Sequence, residues 1–317
     1  MPGTMLGAGI YFGVPADVYH SDPCPEPSLS HSIARTIAGR SAKHAWQIHP
    51  RLNGEYRRGA PTQEMQDGSC IHAYVLGGHE DLIITVDAED WRTKAAQEIR
   101  DTALAEGKIA VLKRRIPGLQ AAGEAACKAL KEHEDSSEIF ALAEKEATVI
   151  WQEGGIYCRS RVDLLPNDPA ATVYDFKFTT KSAAPADYEK TVWSTLATQA
   201  VFYSRGLEAA RQVRPRGFKF IACEMSPPYG AAVFEIGNDL WAYAEDQIET
   251  AIIQWATSIE SGSWRSYPRR TVTVGLPGWL ANRWENEQTL TQIGRRASME
   301  RVEAVAGVAK RLGKPLS

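Results

Sequence analysis

The strongest constraint on this chain is a change of period. Up to Leu142 apolar residues recur at helical spacing; beyond it they alternate in three short runs, Glu146–Gln152, Ile156–Leu165 and Ala171–Thr179. Gly154-Gly155 separates the first two runs and Pro166-Asn167-Asp168-Pro169 the last two. Both are turn-forming combinations, since glycine supplies positive φ and proline restricts it. Connections this short join antiparallel neighbours, so the runs predict a three-strand meander. A helix follows at about Pro185–Glu208, then strands near Gly217–Glu224 and Ala231–Ile236. A last helix runs from Asn238 to about Ser261, with Leu240, Ile248, Ile252, Trp255 and Ile259 on one stripe. Ahead of the meander, helices are expected at Ser30–Trp46, through Met65–Leu76, at Trp91–Glu106 and at Pro117–Leu142, with Ser28 or Ser30 capping the first. The fold class is therefore α/β (α+β), with a mainly helical part over 1–142 and an αβββαβ region over 143–262.

At 317 residues the chain is about twice a typical ~150-residue domain. A single domain over 1–284 with a basic C-terminal tail over 285–317 fits the pattern, because from Thr291 onward Arg295, Arg296, Arg301, Lys310, Arg311 and Lys314 face only Glu300 and Glu303. The whole chain sums to −3, so no global field draws it to nucleic acid, and phosphate contacts must be local. Arg57-Arg58, Lys113-Arg114-Arg115, Arg269-Arg270 and the tail are candidates, each equally readable as a solvated face. Five scattered cysteines without a CxxC pair argue against a disulfide framework, a structural zinc and an iron–sulfur cluster. No basic residue precedes Arg35 and no apolar run nears ~18 residues, so neither a secretory signal nor a membrane span is expected, and the protein reads as cytoplasmic. Trp46, Trp151, Trp193, Trp255 and Trp264 fall within periodic elements and are expected in the core.

The densest chemistry lies between Tyr157 and Lys177. On a strand alternate residues share a face, so Arg159, Arg161 and Asp163 project opposite to Cys158, Val162 and Leu164. In the same way Val173, Asp175 and Lys177 oppose Tyr174, Phe176 and Phe178. The Pro-Asn-Asp-Pro turn then brings Asp163 beside Asp175. Glu146 on the preceding strand offers a third carboxylate, with Glu144 of the same parity as its competitor. Carboxylates so crowded repel one another unless a cation joins them, and oxygen donors suit Mg²⁺ or Mn²⁺ rather than zinc. Such an ion acidifies water and neutralises charge on a phosphate oxygen, while Lys177 is placed to orient or deprotonate the attacking water or to stabilise the transition state. Phosphodiester hydrolysis is the chemistry indicated, against the plainer alternative of an exposed meander with surface Asp and Lys. His72 is either a packed core histidine or a nitrogen donor at the edge of the site. Gln199 and Tyr203, on the stripe of Val192 and Leu196, either find buried partners or contact a DNA phosphate or terminal base. Arg35 or Arg40 is a candidate for holding a 5′-phosphate.

The ordered set Gly68-x-x-x-His72, Glu146, Arg161-Val162-Asp163, Asp175-Phe176-Lys177 and Gln199-x-x-x-Tyr203 resembles the PD-(D/E)xK nuclease superfamily in its RecB-like branch. It is most similar to the RecE (exodeoxyribonuclease VIII) type of phage and prophage exonuclease domain, from about Tyr11 to Trp279. The resemblance implies a restriction-endonuclease-like core, a central mixed sheet flanked by helices. It implies Mg²⁺ or Mn²⁺ held by His72, Glu146, Asp163, Asp175 and the carbonyl of Phe176. Lys177 would be catalytic with Asp163, Asp175 and Glu146, and Gln199, Tyr203, Arg161 and Arg35 would face DNA. The implied activity is an exodeoxyribonuclease that degrades linear double-stranded DNA from its 5′ ends and leaves 3′ single-stranded overhangs for recombination. Such relatives work as homo-oligomeric rings with a single-strand annealing protein, in a bacterial cell and encoded by phage or prophage. Val162 stands where the superfamily's name has proline, as is common in this branch, and the cysteine quartet of iron–sulfur relatives is missing. The rival readings are a structure- or site-specific endonuclease of the same fold, a DNA-binding or assembly subunit with a vestigial site, and a metal-free structural protein.

Overall fold

The computed structural model describes residues 5–57, 59–77, 80–139 and 143–311. Its N-terminal part contains β1 (Gly9–Tyr11), α1 (Ala16–His20), β2 (Leu29–Ser30), α2 (His31–Gly39), α3 (Ala42–Gln47), α4 (Gln63–Leu76), β3 (Ile83–Val86), α5 (Lys94–Ala105), β4 (Ile109–Leu112), α6 (Ile116–Lys131) and α7 (Ser136–Ile139). There follow β5 (Ala143–Glu153), β6 (Ile156–Pro166), β7 (Val173–Thr179), α8 (Pro185–Thr191), α9 (Ala197–Arg211), β8 (Phe218–Glu224), β9 (Ala231–Glu235), α10 (Asn238–Ser261) and α11 (Gly278–Arg311).

Gly154 and Gly155 both take positive φ, 56° and 78°, as a two-residue hairpin turn requires, and they fold β5 onto β6 over ten residue pairs. The sheet order is β1-β5-β6-β7-β8-β9, with β2 parallel to β6. β7 and β8 run parallel because the intervening α8 and α9 cross over one face of the sheet, the connection parallel strands need. This is the mixed sheet flanked by helices that the resemblance to the PD-(D/E)xK superfamily implies. Val201, Phe202 and Leu207 of α9, with Leu196 just before it, Ile248 and Trp255 of α10 and Ile33 and Ile37 of α2, cover one face. Leu76 of α4 and Ala126 and Leu130 of α6 pack with Tyr174, Phe176, Ile221 and Cys223 on the other.

Several elements depart from the sequence expectation. The helix expected over Ser30–Trp46 breaks at Arg40-Ser41 into α2 and α3, where Ser41 accepts a hydrogen bond from the His44 amide and starts a new helix. The first third is not wholly helical, since β3 and β4 pair in parallel as a separate two-stranded sheet with α5 between them. The helix expected over Pro117–Leu142 ends at Lys131, and Leu142 lies outside the described residues, as do Arg58 and Lys314. A π-helical turn at Val192–Leu196 interrupts the expected Pro185–Glu208 helix. It leaves Trp193 51% exposed rather than in the core, whereas Trp151 and Trp255 are buried.

The chain divides into two compact units at Tyr267/Pro268, ahead of the boundary expected at 284. The reason is that residues 268–277 are exposed and belong to no helix or strand, and the described residues of the expected tail, 285–311, belong to the 34-residue helix α11. All five cysteines are free. Among the described residues no helix is long and apolar enough to cross a membrane.

Within the first unit a buried ion pair fastens the N-terminal segment to β6. Arg159 lies 3.0 Å from Asp22 Oδ1, while Asp22 accepts hydrogen bonds from the amide (2.9 Å) and hydroxyl (2.6 Å) of Ser28 and has His49 Nε2 at 3.3 Å. Burial pushes the Asp22 carboxyl up, but His49, Arg159 and Ser28 outweigh it and hold it below the usual carboxylate value.

α9 meets β5 at Gly206, where an added Cβ would stand 2.6 Å from the Trp151 ring. Gly206→Ala is expected to destabilise the fold by about 1–2 kcal/mol, because overpacking outweighs a helix-propensity gain of about 1 kcal/mol. Urea unfolding checks this, and a variant as stable as the parent would mean that the indole can give way.

Candidate active site

The site forms where β6 parts from β7. The two strands share one bridge, Leu164 with Tyr174, and farther along the same side β6 pairs instead with β2 through Cys158 and Arg159. A fork therefore opens along residues 160–163. Asp163 stands at its apex, and its Oδ2 accepts the Phe176 amide at 2.9 Å, replacing the ladder bond that the splayed backbone has lost. Val162 and Leu165, three residues apart, both join the α9-side core, so strict alternation fails at Asp163. Across the hairpin Glu146 carries a left-handed φ of 49°, and the β5–β6 pairing skips that position. A non-glycine residue in this conformation stores strain, and its neighbours hold it there.

Two helices, one on each side of the sheet, hold the two aspartates. From α4, His72 Nε2 lies 3.0 Å from Asp163 Oδ2 and Nδ1 lies 4.0 Å from Glu146 Oε1, with the ring edge-on to Phe176 and Phe178. From α9, Gln199 Nε2 donates to Asp175 Oδ2 at 2.8 Å, and Lys177 Nζ donates to the other oxygen. Asp175 is 1% exposed. Burial and the charge of Asp163 push its carboxyl up to about 6, against the pull of Lys177 and His72. Burial also acts on Asp163, yet His72, Lys177 and the Phe176 amide outweigh it and hold that carboxyl low. Two like charges at one site thus separate into a readily ionised member and a reluctant one. His72 and Lys177 are both raised, since the surrounding carboxylates overcome burial, and Lys177 stays an ammonium.

Glu146 rather than Glu144 adjoins the site: Glu144 is exposed, whereas Glu146 faces His72 and accepts Arg161 Nη2 at 2.6 Å. Arg161, expected toward DNA, is engaged by that carboxylate and by the Val14 carbonyl at 3.3 Å. Gln199 is 8% exposed and committed to Asp175, while Tyr203 is half-buried against the α9-side core, where burial pushes its phenol far up. Arg35 is exposed on α2. Sequence reasoning passed over His31, the first residue of α2, whose Nε2 lies 3.0 Å from Thr198 Oγ1, one residue before Gln199. Burial, then Arg35 and Lys177, lower its pKa to about 3 and keep the ring neutral. Its position straight after Ser30 was the only signal the sequence held.

The donor chemistry fits a hard divalent cation: carboxylates from three strands, a neighbouring imidazole and a frustrated pair of like charges. Each carboxylate is turned to a protein donor instead, so no group of three His, Cys, Asp or Glu side chains forms a ready ligand shell among the described residues.

A family model described as a PDDEXK-like domain of unknown function (DUF3799) matches residues 40–267, ending where the first compact unit ends. Among solved structures, a crystal structure of a protein from Eubacterium rectale named "Putative exonuclease" superimposes with a TM-score of 0.52 over 84% of this chain and 97% of that one. At 10% identity, that likeness shows a shared fold. No curated protein matches the sequence significantly.

Glu146→Ala is expected to weaken Mn²⁺ binding by about 10–100-fold, and Glu144→Ala to leave it unchanged, as titration calorimetry would measure. The opposite ranking would move the third carboxylate to Glu144.

Proposed function

The chain belongs to the PDDEXK-like family, and on that footing we propose that it is a metal-dependent deoxyribonuclease acting on linear double-stranded DNA. The observation that carries this reading is the pairing at the fork of a buried, reluctant Asp175 with Lys177 and with an ionised Asp163. Nothing in the packing of a structural sheet calls for two carboxylates and an ammonium at the point where its strands separate, since each buried charge costs free energy unless it is paired.

Asp163, Asp175 and Glu146 are the residues that would hold Mg²⁺ or Mn²⁺, with His72 and the Phe176 carbonyl beside them. What a divalent cation supplies in such a donor set is positive charge against a phosphate oxygen and a lowered pKa for coordinated water. The chain's own groups do the rest. Gln199 fixes one Asp175 oxygen and His72 one Asp163 oxygen, so the carboxylates keep their spacing as charge develops. Lys177, held as an ammonium by both aspartates, would orient the attacking water by a hydrogen bond or set its positive charge against the phosphate oxygens. Digestion from the 5′ end, 3′ overhangs for recombination, a ring assembly and an annealing partner enter the proposal through the RecE-like motif order alone.

The test compares linear 5′-phosphorylated duplex with closed circular duplex, each in Mg²⁺ or EDTA. Loss of the linear DNA alone, only with metal, is expected. Asp175→Ala and Asp163→Ala should each lower the rate by more than about 10²-fold, and Lys177→Ala should lower the rate more than the metal affinity. Nicked circles would move the assignment to an endonuclease. Binding without turnover in Mg²⁺ would mark a vestigial site, and normal turnover by Asp175→Ala would end the proposal.

A further inference from the structure

The small net charge of −3 conceals a segregation between the two compact units. Residues 1–267 hold twenty-seven Lys and Arg against thirty-five Asp and Glu, a balance of −8. Residues 268–317 hold nine against four, a balance of +5. A unit with that negative balance repels a polyanion at long range. Several of its cations are also spent internally: Arg159 on Asp22, Arg161 on Glu146 and Arg115 on Asp67.

The second unit is built the other way. Arg269 and Arg270 lie in an exposed stretch ahead of α11 that belongs to no helix or strand, and Arg295, Arg301 and Lys310 on α11 are exposed with no acidic partner among the described residues. Among the described residues Arg296 pairs along the helix with Glu300 at 3.2 Å, an exposed contact that water screens and a phosphate readily replaces. α11 spans about 50 Å at ~1.5 Å per residue, so these cations are spread over a length comparable to more than one turn of duplex.

We infer that residues 268–317 form a DNA-binding arm, which grips the duplex phosphate backbone without regard to sequence and gives the acidic first unit its hold on the substrate. The inference rests on the nuclease reading of that first unit. The polyanion is favoured over a protein partner because the surplus charge is of one sign and is spread along the helix, where Arg283, Asn286 and Arg301 break up the apolar face of Trp279, Leu290, Ile293 and Ala297.

The experiment measures binding of the full chain to a labelled blunt duplex in EDTA across a KCl series, so that hydrolysis plays no part. Failure here is distinct from failure of the nuclease reading, which turnover by Asp175→Ala decides. Combining Arg269→Gln, Arg270→Gln, Arg295→Gln, Arg296→Gln and Arg301→Gln is expected to reduce the slope of log K against log [KCl] by up to about 4.5, at about 0.9 for each phosphate no longer neutralised. Affinity at low salt should fall by at least about 10²-fold. Lys at the same five positions should keep both. A variant with Arg92, Lys94, Lys128, Lys131 and Lys190 changed to Gln, all exposed on the first unit, should keep the slope while losing as much charge. An unchanged slope in the first variant, or an equal loss in the matched one, overturns the arm. So does a shift in the mass of the free protein with the slope intact, which would make residues 268–317 an interface between copies.

Discussion

Two neighbouring strands held apart are the condition on which the candidate site depends. When β6 leaves β7 after one bridge, backbone groups that a continuous ladder would satisfy are left open, and an unpaired buried amide costs about 1–3 kcal/mol. The Asp163 carboxylate answers that need by accepting the Phe176 amide, and the same carboxylate is thereby fixed next to Asp175. The group that repairs the sheet is also a member of the candidate site. Glu146 shows the same economy on the other side of β6, where a strained backbone aims a carboxylate at His72.

The fork stays open because helices brace it from both faces. α4 packs its apolar residues on Phe176 and Phe178 while sending His72 to Asp163, and α9 fills the opposite core while sending Gln199 to Asp175. A lone aspartate at Asp175's depth would tend to protonate, and the raised value near 6 records that tendency. Lys177 and Gln199 offset it with two hydrogen bonds. The site is in this sense pre-loaded with positive partners that a substrate complex must rearrange.

Much of this was legible in the sequence, and the misses have identifiable causes. The hairpin at Gly154-Gly155, the strands over 156–165 and 173–179 and α10 were readable because their turn chemistry and periodicity are local. The convergence of Asp163 and Asp175 followed from register alone. β3 and β4 were not readable: each has four residues, and they pair across α5. The left-handed Glu146 was equally hidden, since nothing in Glu144-Lys145-Glu146 distinguishes one carboxylate from the other; the Arg161 and His72 partners do, and they come from other elements. Gln199 announced itself as an amide on an apolar stripe, but its partner lay across the crossover. Trp193 misled because helical periodicity assumes an α-helix, and a π-helical turn shifts the register.

The buried Asp22–Arg159 pair bears on where this fold begins. The residues shared with the PDDEXK-like family start at 40, yet β2, which occupies one side of the fork, and the carboxylate that neutralises Arg159 both lie earlier. A fragment begun at residue 40 would lose Asp22, the counter-ion of Arg159, together with the Ser28 and Tyr19 contacts that cover that guanidinium, and would bare an edge of β6. The stretch that the family model matches thus leans on contacts from a segment that precedes it.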